Sequence, residues 1–121
     1  MSKRILVVED QDDNRRILRD LLTASGYELI EAVDGEQGLA AAQKEHPDLI
    51  LMDIQLPGID GYEVTRRIRA DEALRSVPII AVTSYALSGD DQKAFAAGCD
   101  AYVTKPFSPR NLLAKIREYL P

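Results

Sequence analysis

The sequence predicts an α/β fold, a five-stranded parallel sheet of order 2-1-3-4-5 with helices on both faces. Three observations carry this. Short apolar runs recur five times along the 121 residues. A helix-like segment follows each of them. Most of the runs are apolar at every position rather than at alternate ones, as strands covered on both faces should be. Strands separated by helices pair in parallel through right-handed crossovers, and 2-1-3-4-5 is a common order for a doubly wound sheet of five.

The elements follow in order. "RILVV" (4–8) is the first strand. "DDNRRILRDLLTASG" comes next, with Ile17, Leu18, Leu21 and Leu22 on one helical face and Gly26 as its stop. "YELIEA" (27–32) is the second strand, and the Ala-rich "GEQGLAAAQKEH" (35–46) is a helix ended by Pro47. "DLILM" (48–52) is the third strand. "GYEVTRRIRADEAL" (61–74) is read as one helix, with Val64 and Ile68 on its inner face. "PIIAV" (78–82) and "AYV" (101–103) are the last two strands, separated by a helix over 86–98 that stops on Gly98. "SPRNLLAKIREYL" (108–120) closes the chain, with Ser108 as N-cap, Pro109 at the first helical position and a stripe of Leu112, Leu113, Ile116 and Leu120.

Composition narrows the functional classes. The length fits one domain, 1–121, and 45% hydrophobic content supplies a core without staples. Cys99 is the single cysteine, so no internal disulfide forms, which fits a reducing compartment. A net charge of −5 argues against non-specific nucleic-acid binding. No apolar stretch approaches the roughly 18–20 residues that span a membrane, and the N-terminus lacks the pattern of a signal peptide. The expectation is a cytoplasmic protein with neither nucleic acid nor membrane as partner.

The chemistry is concentrated at the strand ends. In an open parallel sheet, ligands bind beyond the carboxyl ends of the strands, at the switch point between the first and third. The first strand runs into Glu9 and Asp10, and the third into Asp53. Three carboxylates at close range repel one another and call for positive charge. A hard divalent cation such as Mg²⁺ suits an all-oxygen site. The fourth strand ends in Thr83-Ser84 and the fifth leads into Lys105, adding a hydroxyl and an amine. Such a set could bind a phosphoryl group, with Asp53 as nucleophile, a metal to neutralise charge, and Thr83 and Lys105 on the phosphoryl oxygens. Each residue alone has a plainer explanation: a strand-end Asp commonly forms a turn, and acids commonly begin a helix. Their convergence on one edge favours the chemical reading.

The stretches "ILVVEDQDDNR", "PDLILMDIQLPGIDGYEV", "PIIAVTSYA" and "GCDAYVTKPF", with the separations of Asp53, Thr83 and Lys105, resemble the receiver domain of two-component response regulators over essentially the whole chain. The fold implied is the flavodoxin-like three-layer sandwich. The resemblance implies that Asp53 is the phosphoacceptor. It implies that Asp10, Asp53 and the backbone carbonyl of Gln55 hold Mg²⁺ (with Mn²⁺ as a substitute), and that Glu9 acts through a metal-bound water. Thr83 and Lys105 are implied phosphoryl contacts, Tyr102 a switch aromatic that turns inward, and Lys105–Pro106 a cis peptide. The implied donor is a histidine kinase or a histidine phosphotransfer protein. The implied output is a changed surface of the fourth helix, fifth strand and fifth helix, which meets a downstream protein as a monomer or as a phosphorylation-dependent homodimer. The wording of these stretches is most similar to free-standing single-domain regulators of bacterial phosphorelays and to hybrid-kinase receivers. Gln55 and Tyr85 are expected to tune phosphoryl lifetime, Tyr85 toward slow hydrolysis.

The remaining singled-out residues are read more plainly. His46 is expected at a helix end, where a partly cationic ring suits the dipole. Cys99 is expected to be semi-buried. Asn14 is expected at the pocket mouth. Arg15, Arg16 and Arg19 form a solvated face or a partner-docking face, and Arg66, Arg67 and Arg69 a solvent-facing group. Two competing functions remain: an Mg²⁺-dependent phosphohydrolase working through an aspartyl phosphate, and a constitutive scaffold of receiver fold. A hydrolase would need a general acid, and Gln55 stands where an Asp would serve; a scaffold would be expected to lose acid-pocket residues that are present here. A flavin-binding protein is disfavoured, because the first strand leads into acids rather than a Gly-rich phosphate loop.

Overall fold

Leu49 to Met52 offer water no polar side chain, and their strand lies where both of its faces are covered. The computed structural model describes residues 2–84 and 90–121, apart from the side chains of Asp90 and Asp91. Its elements are β1 (Arg4–Val8), α1 (Asp12–Ala24), β2 (Glu28–Ala32), α2 (Gly35–Glu45), β3 (Leu49–Asp53), α3 (Gly61–Ala70), a 3₁₀ turn (Glu72–Leu74), β4 (Ile79–Thr83), α4 (Asp90–Ala97), β5 (Ala101–Thr104) and α5 (Pro109–Tyr119). All strand pairs are parallel, in the order β2-β1-β3-β4-β5. The expected fold and strand order are those observed.

The period-2 alternation of the strands divides the core in two. Ile5 and Val7 of β1 and Leu49 and Leu51 of β3 pack with Leu18 and Leu22 of α1 and Leu112 and Ile116 of α5. Leu6, Val8, Ile50 and Met52 pack on the opposite face with Ala42 of α2, Val64 and Ile68 of α3, and Ala94 of α4. Every residue of β3 and β4 is buried, whereas the edge strand β2 is only partly so. Ser108 accepts from Asn111 N–H as the N-cap of α5, and Gly26 takes φ +92° just past α1.

Three expectations are corrected. The helix read over 61–74 ends at Ala70: Asp71 turns extended, and its carboxylate accepts from Ala73 N–H to start the separate 3₁₀ turn. Ile17 is 54% exposed rather than part of the α1 core stripe, which rests on Leu18 and Leu22. Arg69 does not face solvent. It donates to the carbonyls of Gly98, Leu74, Arg75 and Val77 and pairs with Asp100 at 2.8 Å, with the same Asp100 oxygen accepting from Ile79 N–H. A guanidinium is rigid enough to serve several carbonyls at once, and here it binds α3 to the ends of α4 and β5. Arg66 and Arg67, by contrast, are exposed and pair with Glu63.

One glycine positions the end of β3. A Cβ on Gly61 would lie 2.3 Å from the Asp53 carbonyl oxygen and 2.8 Å from Ile54 Cα. The first turn of α3 therefore packs directly on the backbone behind Asp53, and Asp60 caps that turn by accepting from Glu63 N–H. Gly61→Ala should lower stability by about 1–3 kcal/mol in urea unfolding through this overlap, despite alanine's better helix propensity.

Candidate functional site

Parallel register brings the chemistry together. Val8 pairs with Met52, Met52 with Ala81, and Ala81 with Tyr102. One residue further along, Glu9 and Asp53 stand side by side. Beyond the last β4–β5 pair, Lys105 N–H donates to the Thr83 carbonyl at 2.7 Å. Carboxylate oxygens of Glu9, Asp10 and Asp53 lie within 4.8 Å of one another. Lys105 Nζ sits 2.7 Å from Glu9 Oε1 and 3.5 Å from Asp53 Oδ2. Thr83 is fully buried at the end of β4, and the Lys105–Pro106 peptide is cis. Gln55 N–H donates to Asp53 Oδ1 at 3.1 Å, and Gln11 N–H to Glu9 Oε2 at 3.2 Å. Tyr102 is half-buried against the core face that holds Ala81 and Ala94.

The charges are unequally served. Burial pushes Glu9 upward, but the Lys105 ammonium, with help from Asp53 and Gln11, outweighs it and holds Glu9 below its ordinary range. Asp53 is 4% exposed. Burial first and Glu9 second push its carboxyl up to about 7, against a weaker opposing pull from Lys105. One amine has been divided between two buried acids, and Glu9 holds the larger share. Three oxygen-bearing acids short of positive charge are the donor set of a hard divalent cation.

The surroundings account for the remaining singled-out residues. Asn14, Ile17, Ser84, Lys105, Pro106 and Phe107 line a cavity of about 420 Å³, so Asn14 shares a cavity with Lys105 but not with the acids. Asp10 and Gln55 line a cleft on the other side with Ile54, Leu56, Pro57, Asp60 and Tyr62. Arg15 is not merely part of a solvated face: it donates to the Glu9 carbonyl at 2.8 Å and pairs with Asp12 and Glu31, so it holds the turn that presents the acids. Arg19 pairs with Glu31, while Arg16 is exposed. His46 caps α2 in the left-handed region at φ 47°, away from the site. Cys99 is buried beside Thr65, and burial pushes its thiol up to about 11, which leaves it unreactive. Tyr85 lies outside the described residues. The bond from Ser84 N–H to Gln55 Oε1 at 3.1 Å is not legible in the sequence, because side-chain bonds between loops have no period.

A five-stranded parallel sheet carrying an acid cluster and a lysine at its switch point has the groups to hold a cation and an anionic group together. Residues 5–117 match the family model of the response regulator receiver domain, and the chain belongs to that family. It is a response regulator, a phosphorylation-dependent switch of two-component signalling rather than a conventional enzyme. The chain is 47% identical over 120 residues to the polar-differentiation response regulator DivK of Brucella ovis, covering 99% of this chain and 98% of the relative. It is also similar to the receiver domain of a sensor histidine kinase from Pseudomonas aeruginosa PAO1, whose structure has a magnesium ion coordinated in the active site cleft: 39% identity, TM-score 0.92, 99% and 98% coverage. The chemotaxis response regulator CheY4 of Vibrio cholerae superposes with TM-score 0.93 at 29% identity, covering 98% and 99%. No described helix is long and apolar enough to cross a membrane.

The raised Asp53 carboxyl fixes a pH dependence. An acid whose folded-state value, about 7, exceeds the ordinary 3.8 makes its ionised form the unfavourable one in the fold. The resulting cost is absent below about pH 4, grows as pH rises, and is complete above the folded value. In metal-free buffer with chelator, Asp53→Asn should therefore be more stable than wild type at pH 8, by roughly 2–4 kcal/mol. Urea unfolding at stepped pH should show the gap closing toward pH 4.

Proposed function

We propose that Asp53 is the phosphoacceptor of this switch. The observation that carries the reading is a buried carboxylate set beside Glu9 and within 3.5 Å of Lys105 at the mouth of the sheet. An Asp53 carboxylate oxygen attacks the phosphorus of a phosphohistidine. The new O–P bond forms as the P–N bond breaks, and the imidazole keeps the electron pair and takes up a proton. Hydrolysis later returns inorganic phosphate and the free carboxylate, so the protein catalyses only its own phosphorylation and dephosphorylation.

Mg²⁺ would be held by Asp10, Asp53 and the backbone carbonyl of Gln55, with Glu9 reached through a water; Mn²⁺ suits the same oxygen set. Bound there, the ion supplies positive charge to the acids and to the phosphoryl oxygens. Lys105 orients Asp53 and donates to a phosphoryl oxygen, and Thr83 donates its hydroxyl to another. Glu9 keeps Lys105 in place. Thr83 and Tyr102 belong to neighbouring strands on the same sheet face, since Ala81, two residues before Thr83, pairs with Tyr102. A shift of Thr83 toward the phosphoryl group is thus felt by Tyr102 and alters the α4–β5–α5 surface, a population shift between two packings. The donor is a histidine kinase or phosphotransfer protein, received beside the cavity edged by Asn14 and Ile17. Gln55 and Tyr85 set how long the acyl phosphate lasts.

Intact mass after incubation with acetyl phosphate and Mg²⁺ tests the acceptor. One added phosphoryl group is expected on wild type and none on Asp53→Asn; an equal adduct on both would move the acceptor elsewhere. For the metal, millimolar Mg²⁺ should raise the wild-type Tm by linkage. Asp10→Asn should weaken Mg²⁺ binding at least about tenfold in calorimetric titration, because removing one of a few charged ligands costs more than ~1.4 kcal/mol.

A further inference from the structure

Beyond the register of β3 and β4, a backbone donor has lost its regular partner. Ile54 N–H donates to the Val82 carbonyl at 3.1 Å, which continues the parallel ladder past the end of β3. In a regular parallel ladder the return bond would run from Ser84 N–H to the Ile54 carbonyl. That carbonyl is instead turned to Leu56 N–H and Gly61 N–H, at 3.1 and 3.0 Å, where the chain enters α3. Ser84 N–H is accepted by the Gln55 side-chain oxygen at 3.1 Å. Ser84 also lines the cavity that Lys105 lines, and the Lys105 amine lies 3.5 Å from Asp53 Oδ2.

Resting on the reading of Asp53 as acceptor, we propose that the Gln55 side chain is an internal plug. Its amide oxygen holds the Ser84 N–H in the unmodified protein and yields that donor to a phosphoryl oxygen once Asp53 is modified. Gln55 is suited to the task because its backbone N–H already grips Asp53 Oδ1 at 3.1 Å. One residue is therefore tied to the nucleophile by its backbone and to the neighbouring donor by its side chain. A phosphoryl group on Asp53 brings nearly two negative charges and three acceptor oxygens. A charged acceptor makes a bond about twice as strong as a neutral amide does, so the exchange runs toward the phosphoryl group. The released Gln55 side chain passes to solvent, to which the residue is already exposed. The side-chain link between the turn after β3 and the end of β4 is then lost, while Ile54 N–H keeps the Val82 carbonyl. This role differs from shielding the acyl phosphate against water: it acts before and during phosphorylation.

The test uses the full chain, isotopically labelled, as wild type and Gln55→Met, which keeps length and removes the acceptor. Without ligand, the Ser84 amide should exchange with solvent about fivefold faster in Gln55→Met, the equivalent of one ordinary hydrogen bond of ~1 kcal/mol. With Mg²⁺ and beryllofluoride as phosphoryl analogue, Gln55→Met should bind the analogue about fivefold more tightly, because no plug has to be broken. An unchanged Ser84 exchange rate would overturn the plug, and so would equal or weaker analogue binding by Gln55→Met, which would make Gln55 a helper rather than a competitor. The exchange comparison needs no adduct, so it judges the bond separately from the identity of the acceptor. Failure of wild type to take up either analogue or acetyl phosphate would sink the acceptor reading and the release step with it.

Discussion

The site depends on one ammonium group shared between two buried acids. Lys105 is close to Glu9 and further from Asp53, so burial and the neighbouring Glu9 act on Asp53 with less to oppose them. Glu9 is held ionised, while Asp53 is left under-compensated and protonates near neutrality. The unmodified site is poised because its positive charge falls short of its negative charge. The shortfall makes it receptive to a cation and costly to keep buried.

The sheet maintains this arrangement without having to be strong at the edge. Glu9 and Asp53 come together by register alone, each one residue beyond a paired position. Register in turn is fixed by the two-sided burial of β3 and β4, since a slip of one residue would send every core side chain to the wrong face. Behind the acids, Arg15 holds the Glu9 carbonyl and Gly61 lets α3 press against the Asp53 carbonyl. The carboxylates are thus mounted on backbone that is braced from both sides of the sheet.

Much of this was legible in the sequence, for definite reasons. β1, β3 and β4 are apolar runs separated by helices, so their existence and parallel pairing followed from pattern, and their order from analogy with doubly wound sheets of five. Asp53, Glu9, Asp10, Thr83 and Lys105 could be grouped because all follow apolar runs, and the structure brings the acids and the lysine into one cluster. Two kinds of feature failed: contacts with partners distant in sequence, and a local turn that interrupts a helical period. Arg69 sits among exposed arginines with the same helical spacing, yet its acceptors come from segments after α3, α4 and the start of β5. Asp71 ends α3 because its carboxylate is spent on a new turn, which a helical period cannot register. The Glu9–Lys105 contact required knowing which of two acids the amine prefers, and that is a matter of ångströms.

Arg69 also anchors one end of α4. By holding the carbonyl of Gly98, it pins the C-terminal end of α4 to α3 and to the start of β5, at the pole of the sheet opposite the acids. The guanidinium therefore makes the C-terminal end of α4 the anchored one.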